Sequence, residues 1–208
     1  MDLIEPVRCF VDVQSGELVG ASGRYLKALH ELTGLYEDER AFESALATHG
    51  DEPVYEVTDL RSSGAAGDVI AGVTRMRPGK IGGEYFLTRG HIHAIADRSE
   101  IYYGEAGTGV MLLESPAGET RALPLQPGDV VYVPPYWIHR TSNVGKTELV
   151  FLFVYPSDAG QDYGVIERAG GMRSRVVDDG HGGWTLRANT SYVFRTRAEI
   201  DAIGASCR

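Results

Sequence analysis

The middle of the chain, residues 54–155, predicts a series of short strands, and this series limits the fold more than any other feature. Turn-forming pairs such as Pro78-Gly79, Gly82-Gly83 and Pro127-Gly128 separate the strands. The predicted strands cover residues 54–60, 68–76, 84–93, 99–104, 109–114, 120–125, 130–133, 138–143 and 148–155. Short strands at near-regular spacing, without helices between them, favour a closed antiparallel barrel or sandwich of the all-β class.

The segment before this series predicts a hairpin followed by helices. Residues 7–19 alternate loosely around Gln14-Ser15-Gly16-Glu17, which is typical of a hairpin. After Gly23 the apolar side chains fall at helical spacing, and they are Tyr25, Leu29, Leu32 and Tyr36. Asp38 is a candidate N-cap for a second short helix that ends at His49-Gly50.

The segment after residue 155 has weaker patterns. Residues 165–167 and 175–177 predict edge strands, and residues 180–183 predict a flexible turn with an exposed His181. Thr196, with an acidic residue three positions later, predicts the start of a short C-terminal helix.

Length and charge limit the domain organisation and the partners. A chain of 208 residues predicts one domain over residues 1–208, with a core of about 52–170. A hairpin and helices over 7–50 would precede this core, and an extension over 171–208 would follow it. The net charge of −9 argues against nucleic acid or an anionic membrane as the main partner. A local cluster of amides, hydroxyls and one or two cations can still bind a small anionic substrate.

The sequence predicts a cytoplasmic protein. No basic segment followed by an apolar run stands at the amino terminus, and no window approaches 18 apolar residues. Cys9 and Cys207 lie near opposite ends of the chain, and we expect both to be free thiols in a reducing compartment.

Two histidines one residue apart are the strongest candidates for chemistry. His91 and His93 lie in a predicted strand, where alternate side chains share one face. Glu100 follows seven positions after the second histidine, and His139 comes on a later strand. Imidazoles with a carboxylate form a mixed nitrogen and oxygen set that suits Fe, Mn, Zn, Ni or Co, and spacing alone does not choose among them. The alternative is a pair of histidines that face solvent.

The region of His139 matches a known motif. Gly128, Pro134, His139 and Asn143 form the G-x5-P-x4-H-x3-N pattern of the second cupin motif. This resemblance implies a cupin jelly-roll barrel, with short N-terminal helices and a short C-terminal helix added to it. The three histidines would then converge inside the barrel.

The earlier segment resembles the first cupin motif, G-x5-H-x-H-x3,4-E-x6-G, with two departures. Tyr85 stands where the first glycine is expected, and six residues rather than three or four separate the second histidine from Glu100. Asp97 fits the common spacing, but Glu100 is the residue followed at the motif's distance by Gly107. We therefore predict Glu100 as the ligand, with Asp97 as the alternative.

Further segments resemble the archaeal-type, cupin-fold phosphoglucose isomerases. The segments that carry this resemblance are residues 74–80 (Thr-Arg-Met-Arg-Pro-Gly-Lys), 88–93 (Thr-Arg-Gly-His-Ile-His), 131–140 and 155–164, together with the long gap before Glu100. The resemblance covers about residues 5–170, and the last forty residues carry little of it.

The resemblance implies reversible isomerisation of glucose 6-phosphate and fructose 6-phosphate by a homodimer with one divalent metal ion, often iron, per subunit. The implied metal ligands are His91, His93, Glu100 and His139. The implied phosphate ligands are Tyr55, Thr74, Thr88 and the Gly90 backbone. The tyrosines implied to line the sugar are Tyr102, Tyr155 and Tyr163.

The reaction itself indicates which groups are needed. Moving a carbonyl between C1 and C2 requires removal of an adjacent proton and stabilisation of the resulting enediolate. Glu100 is the candidate base, with Tyr155 and His139 as further candidate catalytic residues, and a metal-assisted hydride shift is the competing mechanism. Other functions left open are a different metal-dependent cupin, such as a sugar epimerase or a dioxygenase, and a non-catalytic sugar-binding cupin.

The position of Thr88 conflicts with simple alternation. Counting back from His91 places Thr88 on the opposite face of the strand from the histidines. Thr88 can face the site only if Gly90 carries a bulge that re-aims the strand, which glycine permits.

Overall fold

The computed structural model describes residues 5–12, 15–61, 65 and 67–205, and strands dominate these residues. The strands of the first half are β1 (Phe10–Asp12), β2 (Glu17–Val19), β3 (Gly23–Ala28), β4 (Pro53–Leu60), β5 (Val69–Met76), β6 (Lys80–Ile81) and β7 (Glu84–Tyr85). Those of the second half are β8 (Glu100–Ala106), β9 (Gly109–Glu114), β10 (Thr120–Leu125), β11 (Val130–Val133), β12 (Ile138–Asn143), β13 (Leu149–Pro156), β14 (Ser174–Asp178) and β15 (Trp184–Ala188). The helices are a 3-10 helix (Leu29–Leu32), α1 (Glu39–His49), α2 (Gly164–Arg168) and α3 (Arg197–Ala205).

The strands form antiparallel sheets around one main core. A six-stranded sheet has the order β11-β8-β13-β5-β4-β3, and a three-stranded sheet has the order β10-β9-β12. Side chains from the inner faces of both sheets meet in the core, such as Tyr55, Phe151 and Met111. The predicted all-β cupin jelly roll, with short helices at both ends, is confirmed. The division into a 52–170 core and flanking segments stays a prediction.

Two strands of the three-stranded sheet, β9 and β12, are buried on both faces. Met111 and Leu113 of β9 point into the main core, whereas Val110 and Leu112 pack in a second cluster with Ile166. All six residues of β9 and all six of β12 are buried. The segment after β13 therefore covers the outer face of the sheet that carries His139.

The predicted helix after Gly23 is wrong over its first half. Gly23–Ala28 is strand β3, which pairs with β4 so that Tyr25 lies opposite Val57 and Lys27 opposite Tyr55. The helix is limited to the 3-10 turn Leu29–Leu32. The spacing of these apolar residues fits a strand followed by a turn as well as it fits a helix. The pairing with β4 stabilises the strand over residues 23–28. The hairpin β1–β2 and the helix capped by Asp38 are as predicted, although Gln14 lies outside the described residues.

Three other predictions need correction, and one is confirmed. Residues 165–167 belong to helix α2 rather than to a strand, because neighbouring Val165 and Ile166 are both buried, which a half-exposed edge strand does not allow. Strand β14 lies between β15 and β7 and is not an edge. The predicted strand over 84–93 is regular only as β7. The C-terminal helix begins as predicted, with Glu199 accepting a hydrogen bond from the Thr196 amide at 2.7 Å.

The structure also bears on membrane-spanning helices and on the state of the cysteines. No helix among the described ranges is long and apolar enough to cross a membrane. Cys9 is a free cysteine, and Cys207 lies outside the described residues. The cytoplasmic location stays a prediction.

Candidate active site

Residues 88–93 run beside strand β12, and this pairing brings the histidines together. The His91 amide donates to the His139 carbonyl at 3.1 Å, and the His139 amide donates back to the His91 carbonyl at 2.9 Å. His91 is thus directly opposite His139, and their ring centroids are 4.4 Å apart. Glu100 opens strand β8, on the six-stranded sheet that faces them.

A bulge interrupts this pairing at Arg89 and Gly90. The Thr88 amide donates to the Thr141 carbonyl at 2.9 Å, so that two residues, Arg89 and Gly90, lie opposite the single residue Arg140. Gly90 has a φ of +75°, and a Cβ there would stand 2.9 Å from Ile166 Cδ1. The bulge shifts the alternation, and Thr88 lines the same cavity as His91.

Four side chains form what we call the His/Glu group: His91, His93, Glu100 and His139. Each offers one ligand atom, and these atoms all lie within 4.8 Å of one another. Glu100 Oε2 is 3.0 Å from His139 Nε2 and 3.3 Å from His93 Nε2. Asp97, the alternative ligand, lies outside the group and pairs with Arg98 at 2.6 Å.

The outer nitrogens of two histidines are held by backbone carbonyls. His93 Nδ1 donates to the Arg98 carbonyl at 2.8 Å, and His139 Nδ1 donates to the Trp137 carbonyl at 3.1 Å. Because a carbonyl only accepts, the proton of a neutral ring lies on Nδ1 and the Nε2 lone pair points inward. The His139 Nε2 lone pair then faces the Glu100 carboxylate, and two acceptors at this distance must share either a proton or a metal ion.

The His/Glu group fits a divalent metal ion on two observations. The buried His91 Nε2 atom has no hydrogen-bond partner among the described residues, as expected of an atom whose partner is a metal. Three imidazoles and one carboxylate are also a donor set that binds Fe, Mn, Zn or Ni and leaves coordination positions open. The group can therefore hold a metal ion, and the donor set does not select one.

Burial and mutual contacts shift the pKa values of the group. Burial alone would raise the pKa of Glu100, but its close contacts with the His139 and His93 rings outweigh burial and lower the pKa to about 2. Burial and the neighbouring His139 lower the pKa of His91 well below its usual value. At neutral pH the carboxylate is ionised and the His91 ring is neutral, which are the states that bind metals.

Three members of the His/Glu group, His91, Glu100 and His139, line a cavity of about 340 Å³. The cavity is lined by every residue that the family resemblance implied for the substrate: Tyr55, Thr74, Thr88, Gly90, Tyr102, Tyr155 and Tyr163. Burial raises the pKa of Tyr155 to about 12 and also raises those of Tyr102 and Tyr163. These hydroxyls are therefore protonated at neutral pH and can donate hydrogen bonds.

Several cavity residues were missed in the sequence. They are Tyr25, Lys27, Asp59, Arg61, Arg89, Arg140 and Gln161. Tyr25 and Lys27 were hidden by the incorrect helix, and Asp59 and Arg61 would follow from continuing the alternation of Tyr55 along β4. Arg89 and Gln161 both touch Tyr163: the Arg89 guanidinium lies 4.3 Å from its ring centroid, and Gln161 accepts from its hydroxyl.

Comparison with known proteins decides the family. The sequence profile described as Glucose-6-phosphate isomerase (GPI) matches residues 26–194. The chain belongs to the glucose-6-phosphate isomerase family. A similar relative, "Putative glucose-6-phosphate isomerase 1" of Rhizobium meliloti, is 53% identical over 97% of this chain and 94% of its own length. "Glucose-6-phosphate isomerase" of Thermococcus gammatolerans is 44% identical over 86% of this chain and 93% of its own length.

Similarity to solved structures is more limited. An oxalate decarboxylase from Lactobacillus farciminis, solved as a formate complex, superposes with a TM-score of 0.43 at 23% identity. The match covers 52% of this chain and 30% of that one, and it has no bearing on the activity. The family assignment therefore rests on the sequence profile and the relatives.

Proposed function

We propose that this protein interconverts glucose 6-phosphate and fructose 6-phosphate in a metal-dependent reaction, in glycolysis or gluconeogenesis. The observation that carries the proposal is one cavity in which three members of the His/Glu group lie beside the hydroxyls of Tyr55, Thr74 and Thr88. A metal group next to neutral hydrogen-bond donors suits a substrate with a carbonyl at one end and a phosphate at the other. Membership of the family supports the same activity.

The proposed phosphate site combines neutral donors from separate elements. Tyr55 lies on β4, Thr74 on β5, and Thr88 with the Gly90 amide on the bulge beside β12. Burial keeps the Tyr55 hydroxyl protonated by raising its pKa. Such donors can bind a phosphate oxygen each, and Tyr102, Tyr155 and Tyr163 would contact the sugar hydroxyls.

The His/Glu group would hold one divalent ion, with iron as our first choice and zinc, manganese or nickel as alternatives. When bound, such an ion supplies a Lewis acid that stabilises negative charge on substrate oxygens. The ionised Glu100 would take a proton from one of C1 and C2 and return it to the other, through an enediolate. His139 holds the Glu100 carboxylate, and Tyr155 would donate a hydrogen bond to a sugar oxygen. A hydride shift between the two carbons is the competing mechanism.

The direct test is a coupled assay of fructose 6-phosphate conversion to glucose 6-phosphate on purified protein. Activity should disappear after treatment with EDTA and return when Fe, Mn, Zn or Ni is added. If protein with a measured metal content is inactive with every metal, the isomerase proposal is wrong. A sugar epimerase or a dioxygenase would then be assayed instead.

We expect Thr74→Ala to raise the KM for fructose 6-phosphate about tenfold, because one hydrogen bond to a charged phosphate is lost. The metal content should not change, since Thr74 lies outside the His/Glu group. Steady-state kinetics and metal analysis of the same samples check both expectations.

The matched control for this variant is Thr58→Ala. Thr58 is also buried in the same sheet, but its hydroxyl accepts from the Leu18 amide, away from the cavity. Its KM should equal that of the unchanged protein. An unchanged KM in Thr74→Ala would remove Thr74 from the phosphate site.

We also propose a homodimer, as the resemblance implies. Light scattering coupled to size-exclusion chromatography should give about twice the 22.6 kDa of one chain. A mass of one chain at micromolar concentration would exclude the dimer.

A further inference from the structure

The cavity is lined by four Lys and Arg side chains, and they differ in their partners. Three of them contact a carboxylate: the pairs are Lys27–Glu31, Arg61–Asp59 and Arg89–Glu167, with N–O distances of 2.9, 3.0 and 2.7 Å. Arg140 has no carboxylate oxygen within 4.0 Å in the part of the chain that the structure describes. Among the described residues that line the cavity, Arg140 is therefore the one cation that no carboxylate neutralises.

Arg140 is also deeply buried. Its exposure is 6%, and its Nε atom has no hydrogen-bond partner among the described residues. Glu84 is near enough to affect it electrostatically, but Glu84 already pairs with Arg175 at 2.9 Å. A guanidinium remains charged at neutral pH, and a buried charge without a counter-ion destabilises a fold. Its presence here indicates that an anion compensates it in the functional state.

A hydrogen bond to the backbone places Arg140 at the proposed phosphate site. Arg140 Nη2 donates to the Arg89 carbonyl at 2.6 Å, inside the bulge formed by Arg89 and Gly90. Thr88 and Gly90 flank Arg89 in the chain, and the Thr88 side chain and the Gly90 amide are the groups proposed to bind phosphate. Arg140 therefore holds the backbone that aims these donors, and it brings positive charge beside them.

We propose that Arg140 is a positioning residue for the substrate phosphate: it holds the Arg89–Gly90 bulge and supplies the uncompensated positive charge that favours a phosphorylated sugar. This inference rests on the proposed function, because it assigns a phosphate to this half of the cavity. It accounts for how a chain with a net charge of −9 can bind a dianion. The charge is local, buried and weakly screened.

Inorganic phosphate is the probe that tests Arg140 separately from catalysis. Calorimetric titration of phosphate into metal-free protein in EDTA measures the site without a metal to bind the anion. Arg140→Met keeps the side-chain length and removes the charge, and we expect phosphate to bind at least about tenfold more weakly. Arg140→Lys restores the charge and should recover part of that loss.

The kinetic signature should separate positioning from a general structural role. In metal-loaded protein we expect Arg140→Met to raise the KM for fructose 6-phosphate about 10- to 100-fold, with kcat within about threefold. Its melting temperature should stay within about 5 °C of the unchanged protein, because removing an unpaired buried charge offsets the lost hydrogen bond. Should Arg140→Met fail to fold, Arg140→Gln, which also removes the charge, carries the same comparison.

Arg75→Met is the matched control. Arg75 is partly buried on β5, contacts the Ser15 carbonyl and Glu56, and lies outside the cavity. The Arg75→Met substitution removes one positive charge, as Arg140→Met does, and it should leave phosphate binding and the KM for fructose 6-phosphate unchanged.

Two results would overturn the proposal: equal phosphate affinity in Arg140→Met and the unchanged protein, or no phosphate binding in either. If the unchanged protein shows no isomerase activity but phosphate binding still depends on Arg140, the proposed function fails and the anion site stands.

Discussion

Replacing Glu100 with Gln is expected to lower kcat about 10³- to 10⁴-fold while part of the metal remains bound. Glutamine has nearly the same shape as glutamate, so its amide oxygen can still face the His/Glu group. It is neutral, however, and cannot accept a proton from carbon. Turnover per bound metal ion, measured on samples of known metal content, is the decisive quantity.

Asp97→Asn is the control for this prediction. Asp97 was the other carboxylate that motif spacing allowed, and it pairs with Arg98 outside the His/Glu group. Its turnover per metal ion should stay close to that of the unchanged protein. A nearly active Glu100→Gln variant would remove Glu100 as the base and favour the hydride shift.

Replacing His139 with Ala is expected to remove metal and activity together. The substitution deletes one of four ligand atoms that lie within 4.8 Å of one another, and it also deletes the 3.0 Å contact that holds Glu100. We expect metal affinity to fall at least about 100-fold, since loss of one ligand-orienting contact alone costs 10- to 100-fold. Metal analysis after dialysis and the coupled assay should show parallel losses.

His181→Ala serves as the control for the histidine substitution. His181 is exposed in the turn between β14 and β15, far along the chain from the His/Glu group. Metal content and activity should both be unchanged. Full metal content in an inactive His139→Ala variant would contradict the assignment of His139 as a ligand.

Local sequence patterns were sufficient for the strands that carry Glu100 and His139 and for their neighbour β9, but not for residues 88–93, which carry His91 and His93. Alternation and turn residues predicted β8, β9 and β12 to within about two residues at each end. The spacing of Pro134 and His139 identified the third histidine, because a turn followed by a regular strand has a fixed geometry. The same rules failed at residues 23–28, where Tyr25 and Lys27 line the cavity from a strand that helical spacing had concealed.

The bulge at Gly90 marks a limit of pattern-based inference. Simple alternation placed Thr88 on the opposite face from the histidines, and the glycine at position 90 permitted a bulge without requiring one. The pairing with β12 produces the bulge. Thr88 bonds to Thr141 and His91 bonds to His139, which leaves Arg89 and Gly90 both opposite Arg140. A long-range register, rather than any local preference, aims the Thr88 side chain into the cavity.

By itself, the sequence determined the all-β class, the second cupin motif and the three histidines of the His/Glu group, since each depends on residue types at short, regular spacings. It favoured Glu100 as the fourth member but left Asp97 open, and the structure places Glu100 in the group. Only the tertiary structure decided that β3 joins the six-stranded sheet and that the bulge turns Thr88 inward. The tertiary structure also decided which Lys and Arg side chains of the cavity form an ion pair with a carboxylate. In the sequence, Arg89 and Arg140 are two arginines of equal charge. In the structure Arg89 pairs with Glu167, whereas Arg140 is buried without a carboxylate partner among the described residues. The balance of charge in a cavity depends on residues that folding brings together from distant parts of the chain.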